Sequence, residues 1–246
     1  MNISIFFYIF VGFLAQMIDG ALGMAYGVSS TSLLLTIGIP PAQASASVHA
    51  AELLTTGVSG LFHLKFGNVD KGILKKLLIP GVIGGGLGAY VLTEISSTII
   101  KPVVAGYLII MGGIILWKAF RKIEPGEVKT RLIPLGLFGG FFDAIGGGGW
   151  GPIVTTTLVA RGKEPRFAVG SVNLAEFFVT LSESFVFILT IGLVHWKIII
   201  GLMIGGVLAA PLAAYVCSRL PRRPLMCLVG SLIIALSVRT LILSLR

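Results

Sequence analysis

An aspartate and three glycines interrupt a long apolar run near the start of the chain. The run extends from Ile3 to Ile37, and the interruption reads Asp19-Gly-Ala-Leu-Gly-Met-Ala-Tyr-Gly27. A continuous helix over this run would be about 52 Å long, whereas the hydrocarbon core of a bilayer is about 30 Å thick. The run is therefore too long for one span and too short for two. It predicts a re-entrant hairpin of two partial helices or one broken, tilted helix.

The same interruption recurs in the second half of the chain, as Asp143-Ala-Ile-Gly-Gly-Gly-Gly-Trp-Gly151. At an offset of 124 residues, the halves share identical residues at Gly12, Asp19, Gly23, Gly27, Thr31, Leu34, Gly38, Pro41, Ala44, Ser47, Val48, Ala51, Glu52 and Thr56. So many matches without a gap indicate an internal duplication. Duplication is a common plan of secondary transporters.

The composition places both halves in a membrane. Hydrophobic residues make up 55% of the chain and charged residues only 12%, whereas soluble domains carry about 25% charged residues. The net charge of +9 does not indicate nucleic-acid binding, because the basic residues lie in short loops between apolar spans. We find no nucleotide motif, metal-ligand spacing or catalytic triad, so neither an enzyme nor a cofactor is expected.

Each half continues with three further apolar segments. They are Ala42–Leu64, Leu77–Leu92 and Ile99–Trp117 in the first half, and Phe167–Ile191, Lys197–Cys217 and Leu225–Leu245 in the second. The sequence therefore predicts an all-α polytopic membrane protein. We expect an N-terminal repeat over 1–117, a polar cytoplasmic linker over 118–131 and a C-terminal repeat over 132–246. Each repeat contains a re-entrant or broken segment and three transmembrane helices.

The distribution of basic residues predicts how the repeats are oriented. If each interrupted segment returns to its own side, each repeat crosses three times and the repeats are inverted. One face then collects Lys65, Lys71, Lys75, Lys76, Lys118, Arg121, Lys122, Lys129, Arg131, Arg161, Lys163, Arg166, Arg219, Arg222 and Arg223, or 15 of the 19 basic residues. Full crossings would divide them more evenly. Because basic loops stay in the cytoplasm, we favour inverted repeats with both termini outside.

These features resemble the TauE/SafE sulfite exporter family. The resemblance rests on the Gly-rich break after Asp19, the Pro40-Pro41 turn, the helix from Ser47 to Glu52, the Gly-Asn-Val-Asp loop at Gly67 and the duplication. It covers nearly the whole chain. It implies a multi-pass transporter of the bacterial inner membrane, with sulfite, sulfonates or related small anions as substrate and the proton gradient as the driving force. The sequence does not decide whether the protein forms a homo-oligomer.

The glycine breaks are the first candidate for an anion site. Gly23, Met24 and Gly27, with Gly147, Gly148, Gly149 and Trp150, precede the second half-helix of each break. Free N–H groups and the helix dipole attract anions at a helix N-terminus. Two such ends meeting at the midplane would hold an oxyanion without a buried Arg. The alternative is that the glycines only let helices pack closely.

Polar side chains near the breaks are the second candidate. Ser29, Ser30, Thr31 and Thr155 are expected to donate hydroxyl bonds to the anion, and the alternative is back-bonding within their own helices. His49 and Asn173 occupy equivalent positions, with Ser47 and Ser171 two residues before them. This asymmetric pair is expected to contribute selectivity, unless it only bonds a neighbouring helix. His63 and His195, at predicted span ends, are read as interfacial.

Carboxylates inside a membrane are functional candidates by default. Two repeat-related pairs occur, Asp19 with Asp143 and Glu52 with Glu176. Each aspartate is expected either to cap the half-helix that follows it or to carry a proton. The glutamates are better candidates for proton coupling or gating. A passive anion channel with the same site remains the alternative to a proton-coupled exporter.

The charge count predicts that both chain termini lie outside the cytoplasm. Reporter domains fused to each end, active only in the cytoplasm or only outside it, test this directly. Cytoplasmic signals at both ends would contradict the returning, hairpin form of the breaks.

Overall fold

A computed structural model describes residues 4–121, 131–217 and 222–244. Ten helices account for nearly all of this part of the chain. They are α1 (Ile5–Leu22), α2 (Tyr26–Thr36), α3 (Pro41–Lys65), α4 (Lys71–Glu94), α5 (Ser97–Ala119), α6 (Leu132–Gly146), α7 (Gly151–Ala160), α8 (Pro165–Thr190), α9 (Trp196–Val216) and α10 (Arg222–Ser244). The all-α prediction is confirmed. Most of the predicted linker, at 122–130, lies outside the described residues.

Both interruptions are breaks between two helices. Gly23 ends α1 and Gly147 ends α6, each with a left-handed backbone, φ 68° and 63°. A glycine adopts this conformation at little cost. Past the first break the chain turns back, because Thr36 at the end of α2 lines the same cavity as Tyr8 in the first turn of α1. The first interrupted segment is therefore a hairpin.

Helices of one half pack mainly against helices of the other half, so the two halves do not form separate units. α1 packs on α9, and the equivalent α6 packs on α4. The equivalent helices α3 and α8 contact each other, as do α5 and α10, while the half-helix α2 lies on α10. Because each half supplies the packing partners of the other, the two repeats form one interleaved bundle.

Equivalent helices of the two halves cross in opposite directions. On α3 and α8, His49 faces Glu183 while Ser59, ten residues later, bonds Asn173, ten residues earlier. On α5 and α10, Gly112 adjoins Ile234 and Gly230 adjoins Leu116. Antiparallel crossing of equivalent helices is what an inverted repeat requires. The orientation in the membrane stays a prediction.

Apolar stripes cover the outside of the bundle. Equivalent residues of α4 and α9 are exposed at about one per helical turn: Ile79, Ile83, Leu87 and Tyr90, and Ile204, Leu208, Leu212 and Tyr215. Six helices in the described ranges are long and apolar enough to span a membrane, namely α1, α4, α5, α8, α9 and α10. α3 is as long but carries polar side chains inward. Trp117 and Trp196 are each 55% exposed near helix ends, as interfacial anchors are.

Glycines set the distance between the interleaved helices. A Cβ atom on Gly205 of α9 would lie 1.9 Å from the carbonyl oxygen of Ile9, and one on Gly84 of α4 would lie 2.1 Å from that of Leu137. No side chain fits there. Small residues at such interfaces let helix backbones approach closely in lipid.

Gly205→Ala is expected to destabilise the fold by about 1–3 kcal/mol, because the added methyl must push α9 away from α1. Gly106→Ala is the matched control, since nothing lies within 4 Å of a Cβ at that helical position. Thermal unfolding in detergent measures both. Equal melting temperatures for the two variants would contradict the close packing.

Candidate functional site

The two breaks meet in the centre of the bundle. A Cβ atom on Gly27 would lie 2.6 Å from Cα of Gly148, and one on Gly151 would lie 2.4 Å from the carbonyl oxygen of Gly23. The hydroxyl of Thr31 donates to the carbonyl oxygen of Gly147, 2.5 Å away. The backbone of one break therefore closes against the backbone of the other.

The aspartate before each break bonds the backbone after it. Oδ1 of Asp143 accepts from the N–H groups of Gly149, at 2.6 Å, and Trp150, at 2.9 Å. Oδ1 of Asp19 accepts from the N–H group of Tyr26 at 3.5 Å, a longer contact. These are the bonds that the capping interpretation requires. They also mean that a carboxylate already occupies donors that an incoming anion would use.

A buried histidine joins two acids from the second half. Nε2 of His49 lies 2.9 Å from Oε2 of Glu183 and 3.7 Å from Oδ2 of Asp143. All three side chains are at most 1% exposed. Nδ1 of His49 lies 2.8 Å from the carbonyl oxygen of Ser45, so that Nδ1 carries the proton that this contact needs. The imidazole of His49 thus lies between two buried carboxyl groups, and buried charged groups need such partners.

The other repeat has a version of this triad with one acid and no histidine. At the offset of 124, His49 corresponds to Asn173, Glu183 to Ser59 and Asp143 to Asp19. The contacts correspond as well, because the Ser59 hydroxyl donates to Oδ1 of Asn173 at 2.7 Å, and Asn173 adjoins Asp19. The duplicated fold thus holds one triad with two ionisable partners around a histidine and one triad with a single acid.

Two further acids lie beside the triads. Glu52 and Glu176 are buried in the middle of α3 and α8, and Oε2 of Glu52 has no hydrogen-bond partner. Asp143, Asp19 and Glu183 are close enough to interact electrostatically with both. The predicted acidic pairs are therefore brought together around the breaks.

The remaining predicted site residues divide into two groups. Ser30, Thr155 and Asn173 are buried at the centre, each with a polar side-chain atom that lacks a partner, and Met24 is buried beside them. Ser29 and Ser47 instead donate to carbonyl oxygens one turn earlier in their own helices, those of Ala25 and Gln43. Ser171 accepts from the N–H group of Asp70 in the α3–α4 loop. Trp150 is fully buried and donates from Nε1 to the carbonyl oxygen of Val172.

Three buried residues near the site escape the sequence prediction. The sequence prediction does not place Glu183, Ser59 or Gln16 in the site. Both amide atoms of Gln16 are buried without partners, one turn before Asp19. The reading of His63 as interfacial is wrong: it is buried, and its Nε2 lies 3.1 Å from the carbonyl oxygen of Gly20. Because His63 lies near the end of α3, the sequence pattern did not indicate that it contacts the first break.

Comparison with known proteins identifies this architecture. The family model described as "Sulfite exporter TauE/SafE" matches residues 8–240. The chain belongs to the TauE/SafE family. It is 46% identical over 243 residues to a "Probable membrane transporter protein YtnM" of Bacillus subtilis (strain 168), covering 95% of this chain and 81% of the relative. No solved structure matches.

Membership of the TauE/SafE family confirms the class predicted from the sequence, a multi-pass membrane transporter. Transport rather than catalysis is what the family name describes. The match spans both breaks and all residues of both triads. The family description names sulfite, while the name of the Bacillus relative gives no substrate.

Removing the histidine alone is expected to cost more stability than replacing the whole pair. His49→Ala leaves the Glu183 carboxylate buried without its partner, a change that typically costs about 3–5 kcal/mol. The double variant His49→Asn with Glu183→Ser copies the neutral pair of Asn173 and Ser59, and should recover much of this loss. Melting temperatures at neutral pH test it. A double variant no more stable than His49→Ala would contradict the equivalence of the triads.

Proposed function

We propose that this protein is a proton-coupled secondary transporter that exports small sulfur-containing anions, such as sulfite or organosulfonates, across the bacterial cell membrane. The observation that carries the proposal is the meeting of the two breaks at a cluster of buried acids around His49. Inverted repeats, favoured by the antiparallel crossings of α3 with α8 and α5 with α10, supply the two alternating states.

The closed contact between the breaks supports a moving carrier. With Gly27 against Gly148 and Gly151 against Gly23, no room is left for an anion between the backbones. Rocking of one repeat against the other would separate them and free the N–H groups and the hydroxyls of Thr31 and Thr155. In the closed state most of these groups hydrogen-bond within the protein, and in the open state they hydrogen-bond the anion. Polar backbone buried in a membrane needs such partners in both states.

The buried acids supply the coupling. An anion that enters this cluster meets the acids of both repeats, and like charges in a dry site repel strongly. These acids are Asp143, Glu183, Glu52, Asp19 and Glu176. Protonation of the acids removes that repulsion. Proton and anion therefore favour each other's binding, which is the linkage that proton-coupled movement needs. The direction of net flow then follows from the gradients.

A proton fits the His49 triad better than a metal ion does. The His49, Asp143 and Glu183 ligand atoms all lie within 4.8 Å of one another, a spacing that a metal site also shows. However, Nε2 of His49 lies 2.9 Å from Glu183, the length of a charge-assisted hydrogen bond. In the proposal, one proton shared between these two side chains occupies that contact, and no added ligand is needed.

Sulfite efflux from liposomes is expected to follow an imposed pH gradient, and neutral variants of the acids should weaken that dependence more than they weaken anion binding. The variants are Glu52→Gln, Glu176→Gln and the pair His49→Asn with Glu183→Ser. Sulfite flux at two gradients and thermal shift with sulfite, sulfate, thiosulfate and organosulfonates measure the two effects.

Glu94→Gln, at the exposed end of α4, is the control and should retain the full pH dependence. Unchanged pH dependence in all the core variants would remove the coupling role from these acids. Flux of the wild type that ignores the pH gradient would favour the passive channel with the same site.

A further inference from the structure

A cavity of about 780 Å³ opens at the end of the bundle where α1 begins and α2 ends. Its lining includes His195, Lys197 and Arg239. Among the residues that the structure describes, no acidic one lines it. The charge count predicts that this end of the bundle lies outside the cytoplasm, where basic residues are scarce. Two of those few basic residues therefore meet in one cavity.

Arg239 binds the end of the half-helix that leads to the break. Its Nη1 donates to the carbonyl oxygen of Thr36 at 3.1 Å. Arg239 is exposed and a guanidinium has five donors, so this bond leaves donors that can face the cavity. The negative end of the α2 dipole stabilises the Arg239 cation even when no anion is bound. The cavity beside Arg239 adds the space for an anion.

A line of hydroxyl groups runs from Arg239 toward the break, between α2 and α10. Oγ1 of Thr36 lies 3.3 Å from Oγ1 of Thr240, and Oγ of Ser32 lies 3.3 Å from Oγ of Ser237. Ser32, Ser237 and Thr240 are buried. One turn further along α2, the Ser32 hydroxyl donates to the carbonyl oxygen of Val28, next to Gly27. Polar groups thus connect the cavity to the centre of the site.

The equivalent half-helix of the other repeat also meets a cation. Thr156 of α7 corresponds to Ser32, and its hydroxyl accepts a hydrogen bond from Nζ of Lys118 on α5, the counterpart of α10. The residues that replace Ser237 and Thr240 on α5 are Gly113 and Leu116, so the hydroxyl line is particular to α2 and α10. In both repeats the cation comes from the last helix of the other repeat.

We propose that the Arg239 cavity is a binding site for small oxyanions and sulfonates, and that the hydroxyl line between α2 and α10 is the outer half of the anion pathway. This inference rests on the proposed function for its substrate class. The site attracts the anion electrostatically. When α2 separates from α10, the hydroxyls exchange their bonds to carbonyl oxygens of their own helices for bonds to the anion.

Thiol labelling tests the site independently of transport. A cysteine is introduced by Val194→Cys, at an exposed lining residue, in a chain with Cys217→Ser and Cys227→Ser. Methanethiosulfonates that carry a sulfonate or a trimethylammonium group then report the local charge. Arg239→Gln is expected to lower the ratio of anionic to cationic labelling rates roughly fivefold, whereas Arg239→Lys should retain most of it.

Lys101→Gln is the matched control, a basic residue predicted on the same face that does not line the cavity. Methanesulfonate should slow labelling in the wild type and not in Arg239→Gln. An unchanged rate ratio in Arg239→Gln, or no protection by methanesulfonate, would overturn the site. Arg239-dependent labelling together with no flux of any sulfur anion would instead leave the site standing and reject the proposed function.

Discussion

Backbone polar groups inside a bilayer must find partners within the protein, and the two broken segments depend on this requirement more than any other part of the structure. Each break frees N–H and C=O groups at membrane depth. Asp143 binds two of the N–H groups after its break, and Thr31 donates to a carbonyl oxygen of the opposite break. The second break therefore takes a hydrogen bond from the first repeat, which ties the duplicated halves together.

That dependence explains the interleaved packing. α1 can reach the centre only by lying against α9 of the other half, and the glycines along both helices allow the close approach. The same arrangement brings side chains far apart in sequence into one dry cluster, with His49 beside Glu183 and Asp143. The contacts that stabilise the two breaks and the acids of the proposed proton coupling thus lie in one place. A movement that opens the breaks necessarily disturbs the acids.

Duplication followed by divergence gives the site its asymmetry. The equivalent positions of His49 and Glu183 hold Asn173 and Ser59, which keep a hydrogen bond in the same place without a histidine or a second acid. Two titratable triads would bring more buried charge than one carrier cycle needs, at a large desolvation cost. A triad with a histidine and two acids and a triad with Asp19 as its single acid keep the fold's symmetry while differing in charge.

The sequence alone determined the class of protein, the duplication, the position of both breaks and most helix bounds, because hydropathy, glycine and repeated residues are local properties of the chain. It also placed Asp19, Asp143, Glu52, Glu176 and His49 near the centre. Only the tertiary structure decided which side chains meet. His49 and Glu183 lie on different helices, and the period of each helix leaves open which neighbour its polar face contacts. For the same reason His63, Gln16 and Ser59 became visible only when the two repeats packed together.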